Sequence, residues 1–112
     1  MEPVRSELLS GTLDLLILKT LSLGVLHGYG IAQHIKRLSD DALRVEEGSL
    51  YPALQRLQAK GLASSEWKRS PTGRQARYYR LTAAGRRQLG LEESSFRGSV
   101  AAITRVLRKA EL

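Results

Sequence analysis

The residues best suited to chemistry fall on one short amphipathic helix, which is predicted to lie within the stretch of residues 47–61. Leu50, Leu54 and Leu57 repeat at helical spacing and would pack on a core. The outer face carries aromatic, amide and guanidinium groups and no acid, on Tyr51, Pro52, Gln55, Arg56 and Ala59. Such groups hydrogen-bond to base edges, and an α-helix fits the major groove of DNA. The pattern predicts a base-reading helix, although taken alone it is commoner on solvated surface helices.

Local signals predict where this helix begins and ends. Ser49 is the expected N-cap, because its hydroxyl can accept from the free backbone N–H groups of the first turn. Pro52 would then fall in the first turn, where its missing N–H costs little. Lys60 followed by Gly61 is a stop signal at the other end.

A second feature is a stretch without acidic residues from Trp67 to Leu91. It holds seven basic residues: Lys68, Arg69, Arg74, Arg77, Arg80, Arg86 and Arg87. Residues 69–74 are turn-rich and join two predicted strands, so several of these cations lie on a β-hairpin. Phosphates need charge and donors within reach, and arginine suits a narrow minor groove. Charge runs are usually solvated, but a basic hairpin directly after such a helix favours nucleic acid.

Composition limits the class of protein further. The chain has 112 residues, with 18 Lys and Arg against 11 Asp and Glu, a formal charge of +7. One domain with a modest core is expected, with oligomerisation as a supplement. The charge favours a polyanion, nucleic acid first and an anionic membrane surface second. Cysteine is absent, which fits a cytoplasmic protein, and Asp14 and Lys19 interrupt the longest apolar stretch, so no membrane span is expected.

The residues that could serve catalysis or metal binding are better explained structurally. His27 and His34 lack metal-ligand neighbours at suitable spacing, and Ser49 has no base beside it in sequence. No glycine-rich phosphate loop or paired-carboxylate motif occurs. We therefore expect no enzyme activity, metal or cofactor. Trp67 is expected to cover the core at a strand end, and Tyr78 and Tyr79 to lie one inside and one outside.

The remaining elements follow from hydrophobic periodicity. Residues 1–9 are expected to form a short arm, residues 11–23 and 29–38 two further helices, and residues 62–68 and 77–82 the strands of the hairpin. A last helix should run from about residue 83, capped by Thr82. It carries apolar residues spaced mainly by three or four, a seam rather than a broad face: Leu89, Phe96, Val100, Ile103 and Leu107. Such a seam predicts a dimer interface.

Three helices followed by a hairpin are the order of a winged helix-turn-helix domain. The segments GYGIAQHI (28–35), GSLYPALQRLQAKGL (48–62) and RYYRLTAAGRRQL (77–89) resemble the PadR family of bacterial transcriptional regulators. The resemblance runs from about residue 8 to the end of the chain. It implies a mainly α fold with a β-hairpin: a winged-helix DNA-binding domain in residues 1–82 and a C-terminal dimerisation helix in residues 83–112. It also implies a homodimer on an inverted-repeat operator, usually as a repressor.

The resemblance also assigns site residues. The third helix becomes the reading helix, Tyr29 opens the second helix near DNA, and Lys36 points outward from that helix. The expected DNA-binding set is Tyr29, Lys36, Ser49, Tyr51, Pro52, Gln55, Arg56, Lys68, Arg69, Thr72, Gly73, Arg74 and Arg77. The final segment is short, with Phe96 where the family often has a tryptophan, which resembles a short-tailed branch. It leaves open a small-molecule effector at the dimer interface.

One alternative comes from a different functional class. The chain could be a protein-interaction module that uses the C-terminal seam to join a larger assembly. DNA binding that weakens with salt would separate the two interpretations, since only the regulator is expected to bind a polyanion.

Overall fold

A computed structural model describes residues 12–109 of the chain. The elements in order are α1 (Leu13–Leu21), β1 (Leu26–His27), α2 (Gly28–Leu38), α3 (Glu47–Ala59), β2 (Ala63–Arg69), β3 (Gln75–Leu81) and α4 (Ala83–Lys109). The predicted mainly helical fold with a hairpin is confirmed, and the ends of most elements agree within two residues. The expected N-terminal arm lies outside the described residues.

The hairpin belongs to a small antiparallel sheet with the strand order β1-β3-β2. The two long strands pair from Ala63 opposite Leu81 to Arg69 opposite Gln75. Strand β1 adds Leu26 and His27 to the other edge of β3. This third strand was not predicted, because two residues are too few to show an alternating pattern.

The core lies where α1, α2 and α3 meet the inner face of the sheet. Its most deeply buried side chains come from all three helices and include Ile17, Leu18, Ile31, Leu50 and Leu54, each at most 1% exposed. The sheet contributes buried residues at its base, and α4 closes one side. Full burial of one such side chain stabilises a fold by about 1.5–3 kcal/mol. The core therefore fixes how α3 and the hairpin are placed relative to each other.

Helix α3 begins earlier than its sequence suggested. Glu46 occupies the N-cap position with an extended backbone (φ −85°, ψ 150°), and its carbonyl accepts from the N–H groups of Ser49 and Leu50 at 3.0 and 2.9 Å. Ser49 is therefore the third residue of the helix, and its predicted capping role is wrong. Pro52 lies inside the helix rather than in its first turn, so the carbonyl of Gly48 lacks its usual helical donor.

Helix α4 has 27 residues, which corresponds to a length of about 40 Å. The predicted cap is confirmed, since Thr82 Oγ1 accepts from the N–H of Gly85 at 3.0 Å. Gly85 is buried, and a Cβ on it would collide with the carbonyl of Leu62 and lie 2.7 Å from Leu81 Cδ1. The first turns of α4 therefore lie tightly against the base of the hairpin, while the later turns lengthen a molecule that measures 59 × 32 × 21 Å.

Candidate nucleic-acid interface

An open groove of about 1070 Å³ lies between the outer face of α3, the start of α2 and the hairpin. It brings together six of the residues predicted to contact DNA: Tyr29, Tyr51, Gln55, Thr72, Arg74 and Arg77. It also contains residues that the prediction missed, among them Gln58, Trp67 and Gln75. Gln58 follows Gln55 by three positions on the same helix, so helical periodicity alone could have found it.

Tyr51 and Gln55 are the two predicted DNA-contacting residues through which α3 lines the groove. The ring of Tyr51 is 42% exposed and lies against the backbone of α2 at Gly28. A Cβ on Gly28 would be 2.8 Å from both Cε1 and the hydroxyl oxygen of Tyr51, so a glycine is needed there for this packing. The start of α2 and the face of α3 thereby form one continuous wall.

His27 holds the start of α2 in place. Its Nδ1 accepts from the N–H of Gly30 at 2.9 Å, and its ring packs edge-on against Tyr78 at 5.4 Å. A structural role for this histidine is confirmed. The adjacent Tyr29 is 66% exposed at the end of the helix where free N–H groups and the positive end of the macrodipole lie. This end can accept an anion.

The face of the hairpin toward the groove carries Trp67 and Arg77, which are directly opposite each other in the strand pairing. The Arg77 guanidinium lies 5.9 Å from the centre of the Trp67 ring, and its Nε donates to Ser65 Oγ at 2.8 Å. Ser65 Oγ in turn donates to Gln58 Oε1 on α3 at 3.0 Å. Trp67 is 64% exposed, so the expectation that it covers the core is wrong. The buried part of β2 ends at Ala63, and the strand then projects beyond the core.

On the opposite face of the hairpin, two cations share one carboxylate. Lys68 Nζ lies 3.2 Å and Arg80 Nη2 3.0 Å from the same carboxylate oxygen of Glu66. The hydrogen bond and charge of Lys68, together with Arg80, hold the pKa of Glu66 below its ordinary value. Lys68 also lies 5.8 Å from the centre of the Tyr78 ring. This predicted DNA-binding lysine does not line the groove, because successive residues of a strand point to opposite faces and the neighbouring Trp67 takes the groove face.

The tip of the hairpin is a tight turn. The N–H of Ser70 donates to the carbonyl of Arg74 at 2.7 Å, and the N–H of Gly73 donates to the carbonyl of Ser70 at 2.9 Å. Gly73 has φ +87°, which only glycine adopts without strain. Across residues 12–109, neither Arg69 nor Arg74 forms an ion pair, and both are exposed. The tip thus presents two cations that no described carboxylate neutralises.

Other predicted residues lie away from the groove. Arg56 Nη2 forms an ion pair with Asp14 Oδ1 of α1 at 3.1 Å, which draws its head group to the flank of α3. Lys36 and Ser49 are half-buried, and Pro52 is exposed; the groove does not include these three residues. Helical spacing cannot reveal a partner 42 positions away in sequence, which is why Arg56 appeared equivalent to Gln55.

A second concave surface of about 440 Å³ lies between α1 and α4. Phe96 and Val100 of the predicted seam line it together with Leu15 and Leu16. Glu93 accepts from Arg97 at 2.7 Å and lies 3.4 Å from Lys19. The hydrogen bond from Arg97 is the largest single cause that lowers the pKa of Glu93, followed by the hydrogen bond and charge of Lys19. This surface is apolar with a charged border.

The five predicted seam residues divide into two groups. Phe96, Val100, Ile103 and Leu107 are between 42% and 64% exposed, as an interface would require before association. Leu89 is only 8% exposed and belongs to the chain's own core, so its assignment to an exposed seam is corrected. It is the seventh residue of α4, where the helix still packs on α1 and the sheet.

Two kinds of site are absent from residues 12–109. No cluster of three or more His, Cys, Asp or Glu side chains suited to a metal ion occurs there. No helix in that part of the chain has the length and apolarity needed to cross a bilayer.

Three helices, a hairpin wing and the groove between them define a winged helix-turn-helix protein. The sequence profile of the transcriptional regulator PadR-like family matches residues 17–91, and the chain belongs to this family. The resemblance inferred from the three sequence segments is thereby confirmed. The family consists of transcriptional regulators rather than enzymes, in agreement with the prediction.

The chain is also similar to individual transcriptional regulators. A transcriptional regulator from Clostridium thermocellum has a similar structure, with a TM-score of 0.81 and 27% identity over 89% of this chain and 97% of that one. The structure of a PadR family transcriptional regulator from Eggerthella lenta has a TM-score of 0.75 and 33% sequence identity, over 90% of this chain and 86% of that one. Transcriptional regulator Rv3488 of Mycobacterium tuberculosis is 46% identical over 63 residues, which are 56% of this chain and 55% of that protein.

Proposed function

We propose that the protein is a homodimeric, sequence-specific DNA-binding repressor whose operator is an inverted repeat. The observation that carries the proposal is the groove in which Gln55 of α3 and Arg74 and Arg77 of the hairpin share one concave wall. Base-reading amides and phosphate-binding guanidinium groups are combined there on one side of a rigid core. A winged-helix regulator needs this combination, because base contacts specify a site and phosphate contacts position the protein.

In this proposal α3 enters the major groove. Gln55 has an amide that can pair with base edges, since an amide can form two hydrogen bonds to adenine. The Oε1 of Gln58 already accepts from Ser65, which leaves its NH2 group as a donor. Tyr51 adds an aromatic surface and a hydroxyl beside them. The packing of Tyr51 on Gly28 supports this role, because it fixes the ring before DNA arrives.

The hairpin then acts as the wing. Arg69, Arg74 and Arg77 are the cations placed to bind phosphates or enter the adjacent minor groove, with the Thr72 hydroxyl as a further donor. Lys68 would contribute only after leaving Glu66, so we expect it to act weakly. At the other end of the groove, Tyr29 and the first N–H groups of α2 can bind a phosphate.

We further propose that residues 83–112 form the dimerisation helix and residues 1–82 the DNA-binding domain. The exposed apolar stripe from Phe96 to Leu107 supports a second copy of this chain as its partner, because such stripes are usually buried. Closed two-fold association would set two α3 helices about one helical turn of DNA apart, or a multiple of it. The apolar surface between α1 and α4 would then border that interface and could admit a small-molecule effector.

The repressor role and a cytoplasmic location follow from the family resemblance and from the need to reach bacterial DNA. An operator-bound dimer would exclude other proteins from the same DNA. The rival assignment, a protein-interaction module, is favoured by one observation: Ile103, Val106 and Leu107 at the far end of α4 are all more than half exposed.

Selection of bound duplexes from a randomised DNA library tests the proposal directly. We expect the selected sequences to share an inverted repeat and to bind more weakly as salt rises, with log K falling by about 0.9 per phosphate neutralised for each unit of log salt. Mapping of occupied sites across the genome would then give the regulated genes. Binding without an enriched motif, or binding indifferent to salt, would contradict the proposal and favour the interaction module.

A further inference from the structure

We propose that Gln58 and Ser65 are positioning residues for Arg77, and that this chain of hydrogen bonds sets the wing against the reading helix. The inference rests on the proposed DNA-binding function and deepens it. It concerns three residues on three different elements: Gln58 near the end of α3, Ser65 on β2 and Arg77 on β3. They join the part of the molecule that reads bases to the part that grips the backbone.

The hydroxyl of Ser65 both donates and accepts a hydrogen bond. A serine hydroxyl has one proton to donate and two lone pairs. Here the proton goes to Gln58 Oε1 at 3.0 Å, and a lone pair accepts the Nε proton of Arg77 at 2.8 Å. Neither Gln58 nor Arg77 can be displaced without leaving Ser65 incompletely paired. The side chain is half-buried, so water replaces a lost partner less readily than at the surface.

This arrangement leaves the DNA-binding end of Arg77 available. A guanidinium has five N–H donors in a fixed plane, and only the Nε proton is used by Ser65. The four protons of the terminal amino groups form the fork that binds a phosphate with two parallel hydrogen bonds. The Nε of Arg77 is thus held by Ser65, while its two terminal amino groups remain free to bind a phosphate.

Trp67 supplies the second restraint on Arg77. The two residues are paired across the strands, and the guanidinium lies 5.9 Å from the ring centre. A cation over an aromatic face is attracted by the ring quadrupole, and a cross-strand neighbour restricts the rotamers of a long side chain. Because an ordered arginine loses less freedom when DNA binds, the restraint should raise affinity.

Substitutions at Ser65 isolate the role of the hydroxyl. Ser65→Thr keeps the hydroxyl. Ser65→Val lacks the hydroxyl but has the same branched shape as threonine, and both residues suit a strand. The probe is the duplex that the wild-type protein selects from a randomised library. We expect Ser65→Val to weaken binding about three- to tenfold, the range expected from loss of one or two hydrogen bonds, and Ser65→Thr to bind within about twofold of wild type.

The same substitutions in an Arg77→Ala protein distinguish positioning from general structural damage. If Ser65 acts through Arg77, Ser65→Val will cause no further loss there. An equal loss in both backgrounds, or no loss in either, would overturn the proposal. Ser64→Val is the matched control, because Ser64 lies next along β2 and points to the opposite face of the sheet.

A measurement without DNA tests the geometry separately. Trp67 is the only tryptophan of the chain, so its fluorescence reports on the guanidinium beside it. We expect the emission to change in Ser65→Val and Gln58→Ala and to remain as in wild type in Ser65→Thr. Unchanged emission in all three variants would contradict the proposed chain of hydrogen bonds, whatever the effect on DNA binding. If the wild-type protein selects no duplex while the variants show these emission changes, the proposed function is overturned, and with it the role of Arg77.

Discussion

Two neighbouring side chains on α3 show how differently the same helix face can be used. Gln55 lines the groove, whereas Arg56 is paired with Asp14 on α1 at 3.1 Å. Both are exposed and both have the length to reach a base edge. The sequence shows only their angle on the helix, and a partner contributed by another helix decides which one faces the groove. Residue-level predictions from periodicity are therefore sound for the apolar face and weaker for the polar one.

Gln55→Ala tests the base-reading assignment. A good two-bond contact to a base is worth about 1–3 kcal/mol, so we expect the ratio of operator to random-duplex affinity to fall at least fivefold or so. Fluorescence anisotropy with both duplexes measures this ratio. Gln33→Ala on the exposed face of α2 is the control and should leave the ratio unchanged. Equal weakening on the two duplexes would mean that Gln55 binds only the backbone.

Arg56→Ala provides a contrast on the same helix. Because its guanidinium is engaged by Asp14, we expect the operator-to-random ratio to stay within about twofold of wild type. An exposed ion pair contributes only about 0.2–1 kcal/mol, so thermal unfolding should also change little. A collapse of the discrimination ratio would show that Arg56 leaves Asp14 to read a base, as the sequence first suggested.

At the scale of elements, the hairpin has two chemically different faces. The groove face carries Trp67 and Arg77, and the other face carries Glu66 with Lys68 and Arg80 held around it. The existence and pairing of the two long strands could be predicted from Tyr78, Tyr79 and the turn. The division between the faces could not, because it depends on where the core stops supporting β2.

Glu66→Gln should strengthen DNA binding. Removal of one negative charge releases Lys68 and Arg80 from their shared partner and adds to the positive field of the wing. We expect tighter binding to operator and random duplexes alike, and a steeper dependence on salt. Titration at several salt concentrations measures both effects. Glu92→Gln on α4 removes the same charge away from the wing and is the control; if it strengthens binding equally, net charge rather than the wing is responsible.

Arg69→Ala with Arg74→Ala tests the wing tip as a phosphate clamp. Each lost phosphate contact reduces the slope of log K against log salt by about 0.9, so the double variant should be shallower by up to about 1.8. The operator-to-random ratio should change little, because phosphates carry no sequence information. A slope equal to that of wild type would remove the tip from the DNA interface.

The course of α3 shows the limit of local signals. Its apolar stripe and its end were predicted, yet its start was placed too late because Ser49 and Pro52 look like a cap and a first-turn proline. The chain instead turns into the helix at Glu46, three residues before the predicted cap at Ser49. Packing of the buried stripe against α1 and α2 outweighs the local preference of a serine for the cap.

At the scale of the whole molecule, most of α4 projects beyond the core with its apolar stripe uncovered. We expect Val100→Asp with Ile103→Asp to yield a monomer that keeps the winged-helix fold and binds a full operator far more weakly, since the linked second half-site is lost. Sedimentation velocity and circular dichroism measure the two properties. Both side chains are about half exposed, so the charges should not disturb the monomer's core.

Ser94→Asp with Ser95→Asp adds the same two charges to exposed positions on another side of α4 and is the control for this variant. It should remain a dimer with nearly wild-type affinity. If the Val100 and Ile103 variant also stays dimeric, the helix does not form the interface. If both variants dissociate, added charge rather than the seam is the cause.

The close approach of Gly85 to the carbonyl of Leu62 has a consequence for the DNA that such a dimer can accept. A helix seated backbone against backbone cannot pivot freely at that point, so its angle to the wing is nearly constant. Over a helix of about 40 Å, a tilt of 5° or so moves the far end by about 3.5 Å, close to the rise of one base pair. We therefore expect a narrow tolerance for spacer length: inserting or deleting a single base pair between the half-sites should be poorly accommodated.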